Sequence, residues 1–272
     1  MSTRDLPPYF EAPRPDGARR AVAALAHRGF ARAGGVDSGL ENSMTAFADA
    51  VRLGFRYVET DAHGTADGVA VALHDDALDR TTDGSGLVAD LPWSRVRRAR
   101  IGGVEPVPLL EDVLGSWPEL RVNVDVKADS GVEPVAAAIE RTGAHDRVCV
   151  TSFSVRRRRA TVERLSRPVA TSAGRAEVIP FLAAARLRVD VLARRALRDA
   201  DALQVPVTDG SVTVVDRTTV AAAHRAGKAV HVWTINDAAE MRRLVDLGVD
   251  GIVTDRADLL RDVLRECDLW PA

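Results

Sequence analysis

The stretch RVNVDVK, residues 121–127, decides the fold because it is apolar on one face and polar on the other. Side chains of a β-strand alternate between its two faces, so the three valines share one face and Asn123, Asp125 and Lys127 share the other. In a barrel of parallel strands the outer face packs against helices and is apolar. The valines are therefore predicted to face outward, and the polar side chains to point into a barrel interior.

The stretch YVETD, residues 57–61, repeats this pattern on an earlier strand. Tyr57, Glu59 and Asp61 share one face, with Val58 and Thr60 on the other. The same argument points Glu59 and Asp61 inward near the carboxyl end of the strand. The two strands together deliver three carboxylates and a lysine into one interior.

Apolar segments of strand length alternate with segments of helical period from residue 22 to the C-terminus. Such alternation predicts parallel strands with right-handed crossovers, and eight units fit a closed barrel. The length of 272 residues also suits a single barrel, which typically takes about 250. We therefore predict an α/β (β/α)8 TIM barrel. The predicted strands are 22–26, 55–61, 121–127, 147–153, 168–172, 202–205, 229–235 and 251–254.

Two segments lack this alternation of predicted strands and helices. Residues 1–20 contain four prolines and no periodicity, which predicts an extended arm laid on the surface or left mobile. Residues 21–272 are predicted to form one barrel domain. An insertion at about 62–108, with a hairpin turn at 66–68, follows the second strand on the face where barrels hold their active sites.

Composition excludes several classes of protein. The formal net charge is −2, so a nucleic-acid partner is not expected. The two cysteines, Cys149 and Cys267, cannot form a disulfide framework. Neither a secretion signal nor a run of 18 apolar residues is present, so we expect a cytoplasmic protein with no integral membrane segment.

Three carboxylates crowded into a low-dielectric interior repel one another unless a cation neutralises them. Glu59, Asp61 and Asp125 offer oxygen ligands only, which suit Mg²⁺, Ca²⁺ or Mn²⁺ better than Zn²⁺. The alternative is an internal salt-bridge network of the same carboxylates with Lys127 and arginines.

Two histidines lie where they can act on a ligand at such an ion. His27 directly follows the first predicted strand, and His74 ends the strand that follows the hairpin turn. With an ordinary pKa of about 6.5, two histidines can supply one general base and one general acid near neutral pH. The pair suits cleavage of a phosphodiester.

The chain resembles the glycerophosphodiester phosphodiesterase family, whose barrels are phospholipase C-like, from about residue 22 to 265. No single motif is specific, but their order and spacing together carry the resemblance. The matching blocks are HRG (27–29), ENS (41–43), ETD (59–61), HD (74–75), LDRTTDGSG (78–86), PLLEDVL (108–114), NVDVK (123–127), WTIN (233–236) and GVDGIVTD (248–255).

The resemblance implies a metal-dependent hydrolysis of glycerophosphodiesters to sn-glycerol 3-phosphate and an alcohol. Carried over by position, it makes His27 and His74 the acid–base pair and Glu59, Asp61 and Asp125 the ligands of one divalent ion, Mg²⁺ or Ca²⁺ with Mn²⁺ as a further candidate. Many members of the family carry Glu at the position of Asp125, so the resemblance leaves open whether the shorter side chain holds the ion differently or through water.

The same resemblance places Arg28 and Lys127 at the phosphate and Trp233 at the substrate end of the site. Glu41 is expected to orient a histidine or a substrate hydroxyl, with a helix-capping contact as the alternative. The predicted partner is thus a small-molecule glycerophosphodiester, and the sequence leaves the oligomeric state open.

The sequence also leaves three alternative functions to consider. One is a phosphodiesterase of the sphingomyelinase D or lysophospholipase D type, although the Glu-Asn and Arg-Thr-Thr blocks do not fit sphingomyelinase D. Another is an aldolase-like barrel with Lys127 as a Schiff base, which requires a lowered lysine pKa away from anions. The last is a catalytically inactive barrel that only binds phosphodiesters.

Overall fold

Eight parallel strands surround a common interior in the computed structural model, which describes residues 6–10 and 22–270. The strands are β1 (Ala23–His27), β2 (Tyr57–Gly64), β3 (Arg121–Val126), β4 (Val148–Thr151), β5 (Ala170–Thr171), β6 (Ala202–Val205), β7 (Ala229–Val232) and β8 (Gly251–Thr254). The predicted (β/α)8 barrel is confirmed. The observed strands begin and end within a few residues of the predicted bounds.

The barrel closes between β5 and β6. Hydrogen-bonded neighbours run in the order β5-β4-β3-β2-β1-β8-β7-β6. A parallel bridge pairs Ser172 with Ala202, and the N–H of Ala173 donates to the carbonyl of Ala202 at 2.8 Å. This seam is narrow because β5 has only two residues.

Helices cover the outside of the barrel, as the outward valines predict. The valines of β3 are fully buried in the apolar layer between strands and helices. The helices are α1 (Met44–Arg52), α2 (Trp93–Val96), α3 (Leu110–Ser116), α4 (Val132–Thr142), α5 (Val155–Val162), α6 (Arg175–Arg186), α7 (Asp190–Ala196), α8 (Arg217–Arg225), α9 (Ala238–Leu247) and α10 (Ala257–Glu266). In the part of the chain that the structure describes, no helix is long and apolar enough to cross a membrane.

The region after β2 forms a small subdomain. The end of β2 pairs antiparallel with Ala70–Ala72, and a second hairpin joins Arg100–Ile101 to Glu105–Pro106. A separate apolar cluster, which includes Leu73 and Ile101, fills this subdomain. Its placement fixes His74 at the edge of the barrel mouth.

The N-terminal segment differs from the expected surface arm where it is described. Pro8–Phe10 form a single 3-10 turn, and Tyr9 is fully buried at the amino-terminal end of the barrel. The hydroxyl of Tyr57 donates to the carbonyl of Tyr9 at 3.0 Å, and the Phe10 ring lies 5.7 Å from the ring of His231. The interior of the barrel is apolar at this end, so two aromatic rings cover it. The rest of the predicted arm lies outside the described residues.

Candidate active site

The polar residues predicted from the sequence meet at the carboxyl end of the barrel. A cavity of about 590 Å³ opens there, inside the size range of small-molecule sites. Eight of the nine predicted site residues line it, and Glu41 does not. The eight are His27, Arg28, Glu59, Asp61, His74, Asp125, Lys127 and Trp233.

The three carboxylates are buried, as their inward position predicts. Glu59, Asp61 and Asp125 are 7, 2 and 8 % exposed. Burial, reinforced by the charge of Asp61, raises the pKa of Glu59 to about 8. Burial also raises the pKa of Asp125 to about 6, although the neighbouring Lys127 opposes the shift. These groups ionise readily only when a cation is close by.

Two basic side chains supply part of that positive charge. Lys127 Nζ lies 3.3 Å from Asp61 Oδ1 and 3.3 Å from Asp125 Oδ2. Arg28 Nε lies 3.1 Å from Asp61 Oδ2, and the backbone N–H of Arg28 donates to Glu59 Oε2 at 3.2 Å. The ion pairs that the sequence left open as an alternative to a metal are therefore present.

The same contacts argue against an aldolase-like reaction. Burial lowers the pKa of Lys127, but the charges of Asp61 and Asp125 outweigh it and raise that pKa above its ordinary value. A lysine that forms a Schiff base must lose its proton near neutral pH. Lys127 is held in the charged state instead.

His27 is held by a residue that the sequence analysis assigned no role. Its Nδ1 lies 2.6 Å from Asp255 Oδ1, and Asn236 Nδ2 donates to the other oxygen of Asp255 at 2.7 Å. Its Nε2 lies 3.7 Å from Glu59 Oε2. Burial lowers the pKa of His27, but the hydrogen bond to Asp255 and the charge of Glu59 outweigh it, and the pKa is raised.

His74 is held in the same way from the other side of the mouth. Its Nδ1 lies 2.5 Å from Asp75 Oδ1, and Arg80 Nε donates to Asp75 Oδ2 at 2.5 Å. Arg80 also donates to Glu41 at 2.6 Å, and Arg28 donates to the same Glu41 oxygen at 3.0 Å. Each histidine is thus oriented through Nδ1, and its Nε2 lies outside that contact.

The backbone directly after β1 has an unusual conformation at Arg28 and Gly29. This residue has a left-handed φ of +54°, which costs free energy in a residue other than glycine. Gly29 follows with φ +79°, and a Cβ there would lie 2.7 Å from the backbone of Ala46. The HRG block therefore requires its glycine for the close approach of β1 to helix α1.

The comparisons with known proteins decide the family. The model of the glycerophosphoryl diester phosphodiesterase family matches residues 27–259. The chain belongs to this family. It is therefore a phosphodiesterase, and the predicted membership and enzyme class are confirmed.

Relatives and solved structures agree with the family assignment. The probable glycerophosphodiester phosphodiesterase 2 of Mycobacterium tuberculosis is 47 % identical over 91 % of this chain and 92 % of its own length. The crystal structure of a glycerophosphodiester phosphodiesterase from Agrobacterium tumefaciens gives a TM-score of 0.70 at 23 % identity, covering 90 % of this chain and 99 % of that one. An Oleispira antarctica phosphodiesterase, solved in complex with the product sn-glycerol-3-phosphate, gives 0.72 at 22 % identity and covers 90 % and 97 %.

The donor set of this family member suits a hard divalent cation. Asp125 Oδ1 is buried and has no hydrogen-bond partner among residues 6–10 and 22–270. The raised pKa values of Glu59 and Asp125 also show that Arg28 and Lys127 do not fully offset the cost of burying these carboxylates. No three His, Cys, Asp or Glu side chains are already arranged as a metal site within the described residues. Glu59, Asp61 and Asp125 would hold such an ion, and it would supply positive charge beyond that of Arg28 and Lys127.

Proposed function

We propose that this phosphodiesterase hydrolyses glycerophosphodiesters to sn-glycerol 3-phosphate and an alcohol, with His27 and His74 as its acid–base pair. One observation carries the proposal: each histidine lines the same cavity and is oriented through Nδ1 by its own carboxylate. Two such histidines beside buried carboxylates suit two proton transfers on one substrate.

The phosphate is expected to lie against Arg28 and Lys127. Both line the cavity, and both already stand beside carboxylates whose charges they offset. Charge on the phosphoryl oxygens increases in the transition state, so these cations stabilise it more than the ground state. The neighbour that holds sn-glycerol-3-phosphate has the same fold, which supports a glycerol phosphate product here.

We further propose that Glu59, Asp61 and Asp125 hold one divalent cation, Mg²⁺, Ca²⁺ or Mn²⁺. Such an ion polarises a phosphoryl oxygen and neutralises developing charge. The unpartnered Asp125 Oδ1 and the raised pKa values of Glu59 and Asp125 support it, because these carboxylates have too little positive charge beside them.

The two histidines divide the proton transfers. The carboxylates around His27 raise its pKa and favour its protonated form, so His27 is assigned as the acid that protonates the leaving alkoxide. His74 then takes the proton from the nucleophile. Protonation of a poor leaving group contributes roughly 10²- to 10⁴-fold to the rate.

Glu41 receives a positioning role in this scheme. It lies outside the cavity lining and accepts hydrogen bonds from Arg28 and Arg80. It therefore links the phosphate-binding Arg28 to the Arg80–Asp75 ion pair that orients His74. Trp233 stands at the substrate end, where its ring packs edge-on against Phe153 at 5.8 Å.

Hydrolysis of glycerophosphocholine by the full chain tests the proposal. Activity should be lost in EDTA and return with Mg²⁺, Mn²⁺ or Ca²⁺, and released sn-glycerol 3-phosphate should match the choline formed. Full activity in excess EDTA, with no metal detectable by elemental analysis, would contradict the metal assignment. Failure to hydrolyse any glycerophosphodiester with each ion present would contradict the function.

A further inference from the structure

Helices α6 and α7 meet in a corner at residues 186–195, the α6–α7 corner, that exposes many apolar side chains. Leu187, Val189, Val191 and Leu192 are 73, 38, 76 and 51 % exposed. They are four of the ten large apolar side chains that are exposed in the part of the chain that the structure describes. Exposed apolar side chains are usually scattered singly, so four of them within six residues indicate a surface that a partner covers.

The exposed side of helix α6 continues this apolar surface. Ile179, Ala183 and Leu187 follow one another at a spacing of four residues, which places them in one line along the helix. Ala176 and Pro180 are exposed beside this line, so the exposed positions between the terminal arginines of α6 are all apolar. A surface helix of a globular protein normally carries charged or polar side chains on its exposed face. The apolar surface therefore extends beyond the α6–α7 corner.

Arginines flank the apolar side chains of the α6–α7 corner. Residues 186–195 contain four arginines and a single acidic residue, Asp190, which is already paired with Arg225 at 3.0 Å. Arg188, Arg194 and Arg195 are exposed and form no ion pair with any of residues 6–10 and 22–270. The corner therefore carries uncompensated positive charge next to an apolar centre.

The backbone holds the corner in a defined conformation. Arg188, which follows helix α6, has a left-handed φ of +58°, a conformation that glycine adopts at lower cost. An arginine at such a position favours a role for its side chain. Arg186 donates to the carbonyl of Thr213 in a hairpin formed by Thr208–Asp209 and Val212–Thr213. The exposed apolar side chains thus belong to an anchored turn.

Three kinds of partner can be compared for this surface. In a symmetric dimer of this chain the same arginines would face one another, and like charges across an interface are unfavourable. A stable protein–protein interface takes roughly 20–30 residues from each partner, which is more than the α6–α7 corner offers. An anionic lipid surface fits, because apolar side chains can enter the boundary of the acyl chains while arginines stay among the phosphates.

We propose that the α6–α7 corner docks on the surface of a membrane that contains anionic phospholipids. Its four exposed apolar side chains enter the headgroup layer, and its unpaired arginines contact the lipid phosphates. Binding of this kind is reversible and weakens as salt screens the arginines. The inference does not depend on the hydrolysis proposed above.

Co-sedimentation of the full chain with large unilamellar vesicles tests the proposal. We expect binding to vesicles of phosphatidylcholine with roughly 30 % phosphatidylglycerol, and at least about tenfold weaker binding to phosphatidylcholine alone. Raising the NaCl concentration from about 0.1 M to about 0.5 M should weaken binding to the anionic vesicles about tenfold or more, because salt shortens the range of the attraction.

Substitutions at the corner test its apolar and charged parts separately. Val191→Asp should lower the partition onto anionic vesicles at least about fivefold, because it replaces an apolar side chain at the contact with a negative charge. The double variant Arg194→Gln and Arg195→Gln should lower the partition about tenfold or more and reduce its salt dependence. If circular dichroism shows that Val191→Asp does not fold, Val191→Gln takes its place.

Matched controls come from the subdomain that follows β2. Val104 is 69 % exposed, so Val104→Asp makes the same change elsewhere on the surface. Arg97 and Arg98 are an adjacent exposed pair that also forms no ion pair among the described residues. Arg97→Gln with Arg98→Gln therefore matches the double variant of the corner. Both controls should bind anionic vesicles within about twofold of the original protein.

The outcomes separate docking from the proposed hydrolysis. Hydrolysis of soluble glycerophosphocholine should stay within about twofold in every one of these variants, because none of the substituted side chains lines the cavity. No binding to anionic vesicles, or equal losses in the corner variants and their controls, would overturn the docking. A dimer that Val191→Asp converts into a monomer in sedimentation velocity would assign the corner to a second copy and also overturn it. Inactivity towards every phosphodiester, with vesicle binding intact, would contradict only the proposed function.

Discussion

The two ends of the barrel interior are built from the same strands but from opposite kinds of side chain. On β2, Tyr57 packs with Tyr9 at the amino-terminal end, while Glu59 and Asp61 lie buried at the carboxyl end. The aromatic end packs ring on ring, with Tyr9 and Tyr57 in edge contact at 5.4 Å. The charged end holds three buried carboxylates, two of them with raised pKa values, and an Arg28 with a left-handed backbone. The aromatic end therefore stabilises the fold. That stability offsets the free-energy cost of the buried carboxylates and of the left-handed backbone at the charged end.

The largest effect is expected at the charged end. His27→Ala and His74→Ala should each lower kcat for glycerophosphocholine by about 10²-fold or more, because each removes one proton transfer. Unfolding stability should change by no more than about 1 kcal/mol, since both residues stand at the ends of strands. Steady-state kinetics and urea unfolding of the same samples measure the two quantities.

His224→Ala is the control for these variants. His224 pairs with Asp250 at 2.8 Å on helix α8 and does not line the cavity. Its kcat should stay within about twofold of the original. Near-normal turnover in either His27→Ala or His74→Ala would remove that residue from the acid–base pair.

At the aromatic end, a substitution should change the free energy of unfolding and leave kcat unchanged. Tyr9→Ala deletes a fully buried ring and should lower the free energy of unfolding by about 3 kcal/mol while kcat stays the same. Tyr9→Phe is the control: within the described residues Tyr9 Oη has no hydrogen-bond partner, so its loss should be neutral or slightly stabilising. A fall in kcat without a loss of stability in Tyr9→Ala would break the division between the two ends.

Substitutions of Asp125 test whether this carboxylate at the charged end binds the metal ion or only pairs with Lys127. Asp125→Asn keeps the shape but removes an anion, and should raise the Mg²⁺ concentration for half-maximal activity by about tenfold or more. Asp125→Glu keeps the charge and should retain a substantial fraction of activity. If Asp125 only pairs with Lys127, both variants will show the metal dependence of the original when activity is titrated against Mg²⁺.

The smallest effect concerns the two free thiols. Burial raises the pKa of Cys149 well above its ordinary value, and Cys149 lies in the same apolar cluster as Tyr9. Cys267 is partly exposed and should react with a thiol reagent first. Tyr9→Ala should increase the modification rate of Cys149 a few-fold, measured against Cys149 in Tyr9→Phe. Equal rates in the two variants would show that Tyr9 does not shield this end.

Most of the barrel and its inward carboxylates could be predicted because both follow from local pattern. The alternation of valines with Asn123, Asp125 and Lys127 requires only the period of a strand, and the burial of Glu59 and Asp61 agrees with it. The partners of the histidines could not be found in this way. Asp255 reaches His27 across 228 residues, through the pairing of the first and last strands.

The burial of the N-terminal turn and the exposure of helix α6 to the cavity could not be predicted, for a different reason. Tyr9 stands among prolines with no periodicity, so nothing local marks it as buried. Helix α6 carries apolar residues on two faces, and periodicity alone does not distinguish a face packed in the core from a face that lines a cavity. Only the tertiary placement of the hairpin at 208–213 shows that the second face lines a cavity.

The buried position of Tyr9 also has a consequence for the order in which the barrel packs during synthesis. Tyr9 leaves the ribosome before any other part of the barrel, yet the cluster that buries it includes Tyr57, Cys149 and Val253. The chain is made from its N-terminal end, so the packing around this early residue is complete only after the last strand, β8, has been made. A nascent chain stopped before β8 would therefore lack Val253 from the cluster around Tyr9.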